Sequence, residues 1–244
     1  ISSRRDRTGF VRQAMALLAD RQSIQDFIYG RTGVATANFL NNPPRYRSPN
    51  NKFEFNVDKA NGILEAAGWK KGSDGVREKG GKKLKFVYQT SVNALRQKEQ
   101  AVIKQGCQKA GIDLELKSVT ASVFFSSDVA NPDTYGKFYA DMQTYNWTNN
   151  SPDPDGMAQS FVSWEVCSRA NKWLGNNLVR LQLPEYDALY RASETELDPV
   201  KRAALFVRMN EMITADGHVI PFLARSTTRA FGAKIRAPLS AWQN

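Results

Sequence analysis

Apolar residues recur at helical spacing from about Phe10 to Tyr29: Ala14, Leu17 and Leu18 come first, then Ile24, Phe27 and Ile28. Asp20 punctuates the run and is placed to start a second helix, and Gly30 and Gly33 end the unit. After an irregular Asn/Pro/Arg segment through Asn51, Asn56 is an N-cap candidate for a short helix, Val57 to Ala67, stopped by Gly68. The period then changes. Lys83 to Tyr88 alternates polar and apolar like a strand. Asn93 to Ala110 is helical, its apolar side supplied by Leu95, Val102, Ile103 and Cys107, and Gly111 caps it. Ile112 to Leu116 alternates again, which completes a β-α-β unit. A short helix around Ser122 to Val129 leads to a strand at Asp141–Tyr145. Pro184 opens one late helix, and Asp198 caps another with Pro199 in its first position and Phe206, Met209 and Ile213 as its buried stripe. Val219 to Leu223 reads as an edge strand, where Pro221 is tolerated. The pattern predicts one α/β domain over residues 1–244, without internal repeats.

Bulk properties narrow the classes. At 244 residues, 41% hydrophobic and 24% charged, the chain has an ordinary globular composition able to bury a large core. No apolar run approaches the roughly 20 residues of a membrane span. The first residues, ISSRRDRTGF, lack the apolar core of a signal peptide, so an exported protein would need its signal upstream. The net charge of +10 raises nucleic-acid binding as a possibility. No nucleic-acid motif accompanies it, and KKGSDGVREKGGKKLK (residues 70–85) reads as a wet, Gly-rich turn between a helix and a strand.

The candidate chemistry is sparse. A single histidine, His218, excludes a two-histidine metal site and reads as a loop or packing residue. Two cysteines, Cys107 and Cys167, define no disulfide scaffold. Cys107 lies on an apolar helix face as a buried thiol would, and a bridge between the two would suit an oxidising compartment. Phosphate loops, nucleophile elbows and dinucleotide fingerprints are missing. Asp153 and Asp155, two apart in one proline-pinned turn, are poorly placed for paired acid/base work across a cleft. No enzyme, metal or cofactor is expected. The residues that stand out are YNWTNNSPDPDG (145–156), directly after a strand. Such a cluster is a surface turn or, since ligands of open α/β sheets gather beyond the carboxyl ends of strands, a ligand loop.

The order of motifs resembles the C-terminal lobe of family 5 extracellular solute-binding proteins, the oligopeptide and dipeptide receptors of ABC importers. Val11-Arg12-Gln13-Ala14 with Ala19-Asp20-Arg21 is similar to the family's entry to that lobe. Val57-Asp58-Lys59-Ala60 and Leu64 to Trp69 resemble its next helix, Tyr88 to Ser91 the loop after its next strand, and Gln108 to Ile112 a helix end. Pro184 to Leu189, then Asp198, Arg202, Leu205 and Phe206, then Ile220-Pro221, follow in register. The resemblance implies a periplasmic-binding-protein-like (type II) α/β lobe with a mixed central sheet and helices on both faces, the missing N-terminal lobe lying outside this chain. It implies a peptide or other small-molecule ligand, an inner-membrane ABC permease as partner, no nucleic acid, and a periplasmic or extracellular location.

The ligand residues so implied are Tyr145, Asn146, Trp147, Thr148, Asn149, Asn150 and Asp153, with Gln89, Thr90 and Ser91. Trp147 would stack on a ligand or serve as a core residue beneath the loop. Asn150 stands where peptide-binding members carry an aspartate for the peptide ammonium. An amide offers no counter-charge there, and charge-assisted bonds are roughly twice as strong, so free peptide N-termini would bind less well unless Asp153 substitutes. A non-peptide solute (an oligosaccharide, an opine, a metal chelate) is the alternative cargo. A basic nucleic-acid-binding domain is the rival of a different class, and a hydrolase a further one.

Overall fold

The computed structural model describes the backbone of residues 2–148, 151–226 and 231–234, with side chains from residue 9 onward. The first apolar run forms α1 (Ser2–Leu18), broken at Asp20, whose carboxylate accepts from the Ser23 amide at 3.0 Å and starts α2 (Arg21–Ile24). A wide π-type turn, Gln25–Tyr29, follows where helix was expected, and it feeds β1 (Gly33–Ala35). α3 (Val57–Ala66) begins at Asn56, which accepts from the Lys59 amide, and ends before Gly68 at φ +84°, a left-handed conformation glycine adopts without strain.

Residues 70–85 differ from the expected turn. They fold into a small antiparallel meander of β2 (Lys70–Lys71), β3 (Arg77–Lys79) and β4 (Lys82–Lys83). The physical cause is Arg77, which is 1% exposed. Its guanidinium donates to Ala110 O, Glu65, Trp69 O and Asn61, pinning the meander across the ends of two helices. A buried arginine is tolerated only when so fully paired.

The β-α-β unit is present. β5 (Lys85–Ser91), α4 (Ala94–Lys109, capped by Asn93) and β6 (Asp113–Val119) follow in order, and β5 pairs in parallel with β6 from Lys85↔Asp113 to Ser91↔Val119. After a one-turn helix, α5 (Ala121–Phe124), β7 (Met142–Thr144) joins the other edge of β5, also parallel. The α/β fold class therefore holds, with one detail redistributed. The central sheet, β6-β5-β7, is wholly parallel in its described strands, and the antiparallel pairs sit in two smaller sheets.

The late chain carries α6 (Asp155–Gln159), α7 (Pro184–Thr195) and α8 (Pro199–Ala215), the last capped by Asp198 as expected. The final described strand, β8, runs Leu223–Arg225 rather than Val219–Leu223, because its partner is β1: Gly33↔Arg225, Val34↔Ala224, Ala35↔Leu223. Two apolar cores result. One joins α1, α3 and α4 to β5 and β6 through residues such as Leu18, Leu64, Ile103 and Leu114. The other gathers Tyr186, Phe206 and Met209 from α7 and α8, with Phe161 from the turn after α6, around Leu40 and Tyr46. Cys107 and Cys167 are both free and buried, so no bridge joins them. Among the described residues no helix is long and apolar enough to cross a membrane.

Candidate functional site

Side chains from both cores wall a groove of about 1710 Å³. Its floor and sides come from β1 and the chain after it, from β8 and the chain before it, from α6, and from the segment that leaves β7. That last contribution follows from the topology: β7 is parallel to β5, so residues 145–148 emerge at the sheet's carboxyl edge, where open α/β sheets leave a crevice.

The suspected loop divides in the structure. Tyr145, Asn146, Trp147 and Thr148 all line the groove. Tyr145 packs edge-on against Tyr135 at 5.6 Å and near Phe124 and Phe125, and burial pushes its phenol above the ordinary range. Trp147 is 37% exposed. Its ring stacks with Phe161 at 6.4 Å and meets the edge of Phe39 at 5.8 Å, so one part is anchored and the rest faces the groove. Phe39 and Phe161 also contact each other at 5.1 Å, making a continuous aromatic wall. Asn149 and Asn150 lie outside the described residues.

The remaining suspects are placed differently. Asp153 is not among the groove's lining residues. Its carboxylate is held by the Arg202 fork, at 2.5 and 3.2 Å. Gln89, Thr90 and Ser91 are buried and spend their side chains internally. Gln89 donates to Asp133 O at 2.8 Å, Thr90 donates to Thr144 O at 2.7 Å, and Ser91 Oγ accepts from Arg96. β5 is the middle strand, so its carboxyl end is covered from both sides and its polar groups must find partners within the fold.

Three groove residues escaped sequence reasoning. Glu99 lines the groove yet is 7% exposed. Burial raises its pKa first of all, while the Tyr29 hydroxyl, Arg96 and Arg225 draw it back. The available signal was its spacing: Leu95, Glu99 and Ile103 fall at i, i+4 and i+8, so a carboxylate sits on the apolar stripe. Arg225 had no local signal, since only the β1–β8 pairing brings it to Tyr29, over whose ring its guanidinium lies at 5.4 Å. Phe39 is set by α8: Asn210 Oδ1 accepts from the Phe39 amide at 2.9 Å.

The chain is an α/β fold with an aromatic-walled groove at the carboxyl edge of its parallel sheet, and its residues 9–166 match the middle region of the bacterial extracellular solute-binding proteins of family 5; the chain belongs to that family. Among curated proteins it is 28% identical over 196 residues to the oligopeptide-binding protein OppA of Mycobacterium tuberculosis, covering 77% of this chain and 30% of that protein. It is 33% identical over 115 residues to the oligopeptide-binding protein AppA of Bacillus subtilis, covering 45% and 21%. The chain thus spans about a third or less of the length of these relatives. Among solved structures, the oligopeptide-binding protein of Thermus thermophilus complexed with a pentapeptide superposes with a TM-score of 0.77 at 23% identity, over 89% of this chain and 38% of that one. NikZ of Campylobacter jejuni in complex with Ni(L-His) gives 0.74 at 20% identity, over 88% and 41%. These likenesses show the fold.

Proposed function

We propose that this chain is the C-terminal ligand-binding lobe of a two-lobe receptor, one domain over residues 1–244, that captures a peptide or peptide-like solute and delivers it to an inner-membrane ABC permease from the periplasm or the cell exterior. The observation that carries the reading is the aromatic wall of Tyr145, Trp147, Phe39 and Phe161, placed where the parallel sheet opens. Ligand pockets are mostly apolar and aromatic with a few polar groups for orientation, and Asn146 and Thr148 supply such groups beside the wall. The work is binding, not catalysis. Ligand docks on this wall, and its contacts with the missing N-terminal lobe draw the two together. Only such differential contacts shift an open–closed equilibrium, so one lobe alone binds weakly.

A thermal-shift screen against di- to pentapeptides, sugars and opines tests this. Peptides stabilise the protein, and Trp147→Ala weakens their apparent affinity about tenfold, the effect of a groove-facing aromatic anchor worth ~1.4 kcal/mol, read against the lowered Tm of the unliganded variant, since the ring also packs on Phe161 and Phe39. Stabilisation by neutral solutes alone would replace peptides with the second reading, a non-peptide cargo, which Asn150 in the aspartate's position favours.

A further inference from the structure

Away from the groove, two long and mostly irregular connections interlock on the surface: residues 125–141, between α5 and β7, and residues 160–183, between α6 and α7. Cys167 Sγ donates to Gly136 O at 3.0 Å, Arg180 donates to Lys137 O at 2.7 Å, and Tyr139 meets the Trp173 ring edge-on at 5.6 Å. The second connection is also tied down from within. Asn177, wholly buried, donates to the carbonyls of Phe161, Val162 and Leu181. Asn171 closes the outer turn by accepting from the Ser168 amide and donating to Val166 O. The loop is therefore held in one shape, and what it turns outward is apolar and cationic. Leu174 is 74% exposed and Tyr139 64%. Trp173 is half-buried, with the Arg180 guanidinium over its ring at 5.8 Å, and Arg169, Lys172 and Arg180 are exposed. The non-glycine residues with positive φ among the described residues, Phe138, Lys172, Trp173 and Arg180, all lie in these two connections. Such backbone costs free energy and persists only where its surroundings over-determine it.

No acid answers these cations. Residues 166–184 carry three basic side chains and neither Asp nor Glu, and residues 134–140 also lack an acid. The flanking acids are spent within the fold: Glu165 accepts from the Asn176 amides, Asp133 pairs with Lys117 at 2.6 Å, and Asp141 accepts from the Val87 amide. None of Tyr139, Arg169, Lys172, Trp173, Leu174 and Arg180 lines the groove. We propose that this patch seats the protein on an anionic phospholipid surface, with Leu174, Trp173 and Tyr139 entering the headgroup layer and Arg169, Lys172 and Arg180 meeting the lipid phosphates. Tryptophan and tyrosine rings settle at headgroup level, an aliphatic side chain gains by leaving water, and basic side chains are drawn to a negative leaflet. Neither connection contains a strand whose edge a partner chain would extend, whereas a soft bilayer surface needs only protruding groups. The contact needs no ligand, so it stands or falls apart from the reading of the groove.

The test sediments the full 244-residue chain with vesicles of phosphatidylcholine alone or with about 30% phosphatidylglycerol. Binding to the anionic vesicles should be about tenfold tighter than to the neutral ones and should fade toward about 0.5 M salt. Arg169→Gln and Lys172→Gln each weaken it about fivefold, the share of one basic side chain near a charged leaflet. Leu174→Ser also weakens it about fivefold, through lost apolar burial. Lys71→Gln combined with Lys98→Gln removes as much charge, from exposed positions on β2 and α4, and leaves binding within about twofold. Brominated lipid quenches the tryptophan emission of the bound chain, and less so in Trp173→Phe. Arg169 and Leu174 lie outside the positive-φ region, so their variants stay informative even if Lys172→Gln disturbs its left-handed turn. Equal binding to neutral vesicles, an equal loss in the Lys71 and Lys98 pair, or no binding to either vesicle would overturn the assignment. Salt-sensitive binding of poly-glutamate without vesicle binding would also overturn it, and would give the patch to an acidic protein segment instead.

Discussion

Asn210 is a single buried side chain on which one wall of the groove depends. It is fully buried on α8, and its Oδ1 accepts from the amides of Phe39 at 2.9 Å and Leu40 at 3.3 Å. Its Nδ2 donates to Asn38 Oδ1 at 2.8 Å, Tyr46 O at 3.3 Å and Leu40 O at 3.4 Å. One amide therefore closes residues 38–46 over the second core and aims Phe39 at Trp147. Asn210→Ala strips the acceptor from two backbone N–H groups, each costing about 1–3 kcal/mol when left unmet in the interior. The two carbonyls and Asn38 lose less, because Asn38 Oδ1 still accepts from Ser48 and Asn51. The expected loss is about 4 kcal/mol. A chain of this size shifts by about 2–4 °C per kcal/mol, so Tm should fall by about 8–16 °C. Asn210→Asp separates the two halves of the amide. At neutral pH it keeps the acceptor but sets an anion against three oxygens, and it should be no more stable than the alanine variant. It should regain stability as pH falls, when a protonated carboxyl can again donate. Circular dichroism would follow unfolding and tryptophan emission the setting of Trp147. A loss below about 1 kcal/mol for Asn210→Ala, with emission unchanged, would refute the claim that this amide holds the loop.

The other expectations are simpler. A Cβ on Gly106 would land on the Leu18 carbonyl oxygen where α1 crosses α4, so Gly106→Ala should cost about 2–3 kcal/mol in urea unfolding, more than the usual helix gain of alanine returns. Burial pushes the Cys107 thiol up to about 12 and raises that of Cys167. The folded chain should resist a thiol reagent at pH 8 and label twice only on unfolding. Lys70 and Arg77 hold the Glu65 carboxyl down to about 2 from its ordinary 4.5. A depressed folded pKa gives stability present above about 4.5 and lost as pH falls toward 2, so unfolding curves of the natural chain and of Glu65→Gln should converge across that window.

The sequence by itself determined whatever depends on neighbours along the chain. Asn56, Asn93 and Asp198 sit at helix starts because their short side chains satisfy amides two or three residues on, and Gly68 ends α3 because glycine enters positive φ without strain. The β5-α4-β6 unit was legible from the change of period, and the aromatic loop after β7 from its composition and place after a strand. The order of family motifs, spread across the chain, pointed to the solute-binding proteins that the family match then showed. Only the tertiary structure decided which polar residues face inward. The meander at 70–83 exists because Arg77 finds partners on α3 and at the end of α4, and β8 is shifted because β1, some 190 residues away, sets its register. Gln89 to Ser91 turned inward because β5 is flanked on both edges, and Asp153 met Arg202 from 49 residues away. A sequence states which groups need partners; which partner each receives is a long-range outcome of packing, and the wall and the reach of the groove are set there.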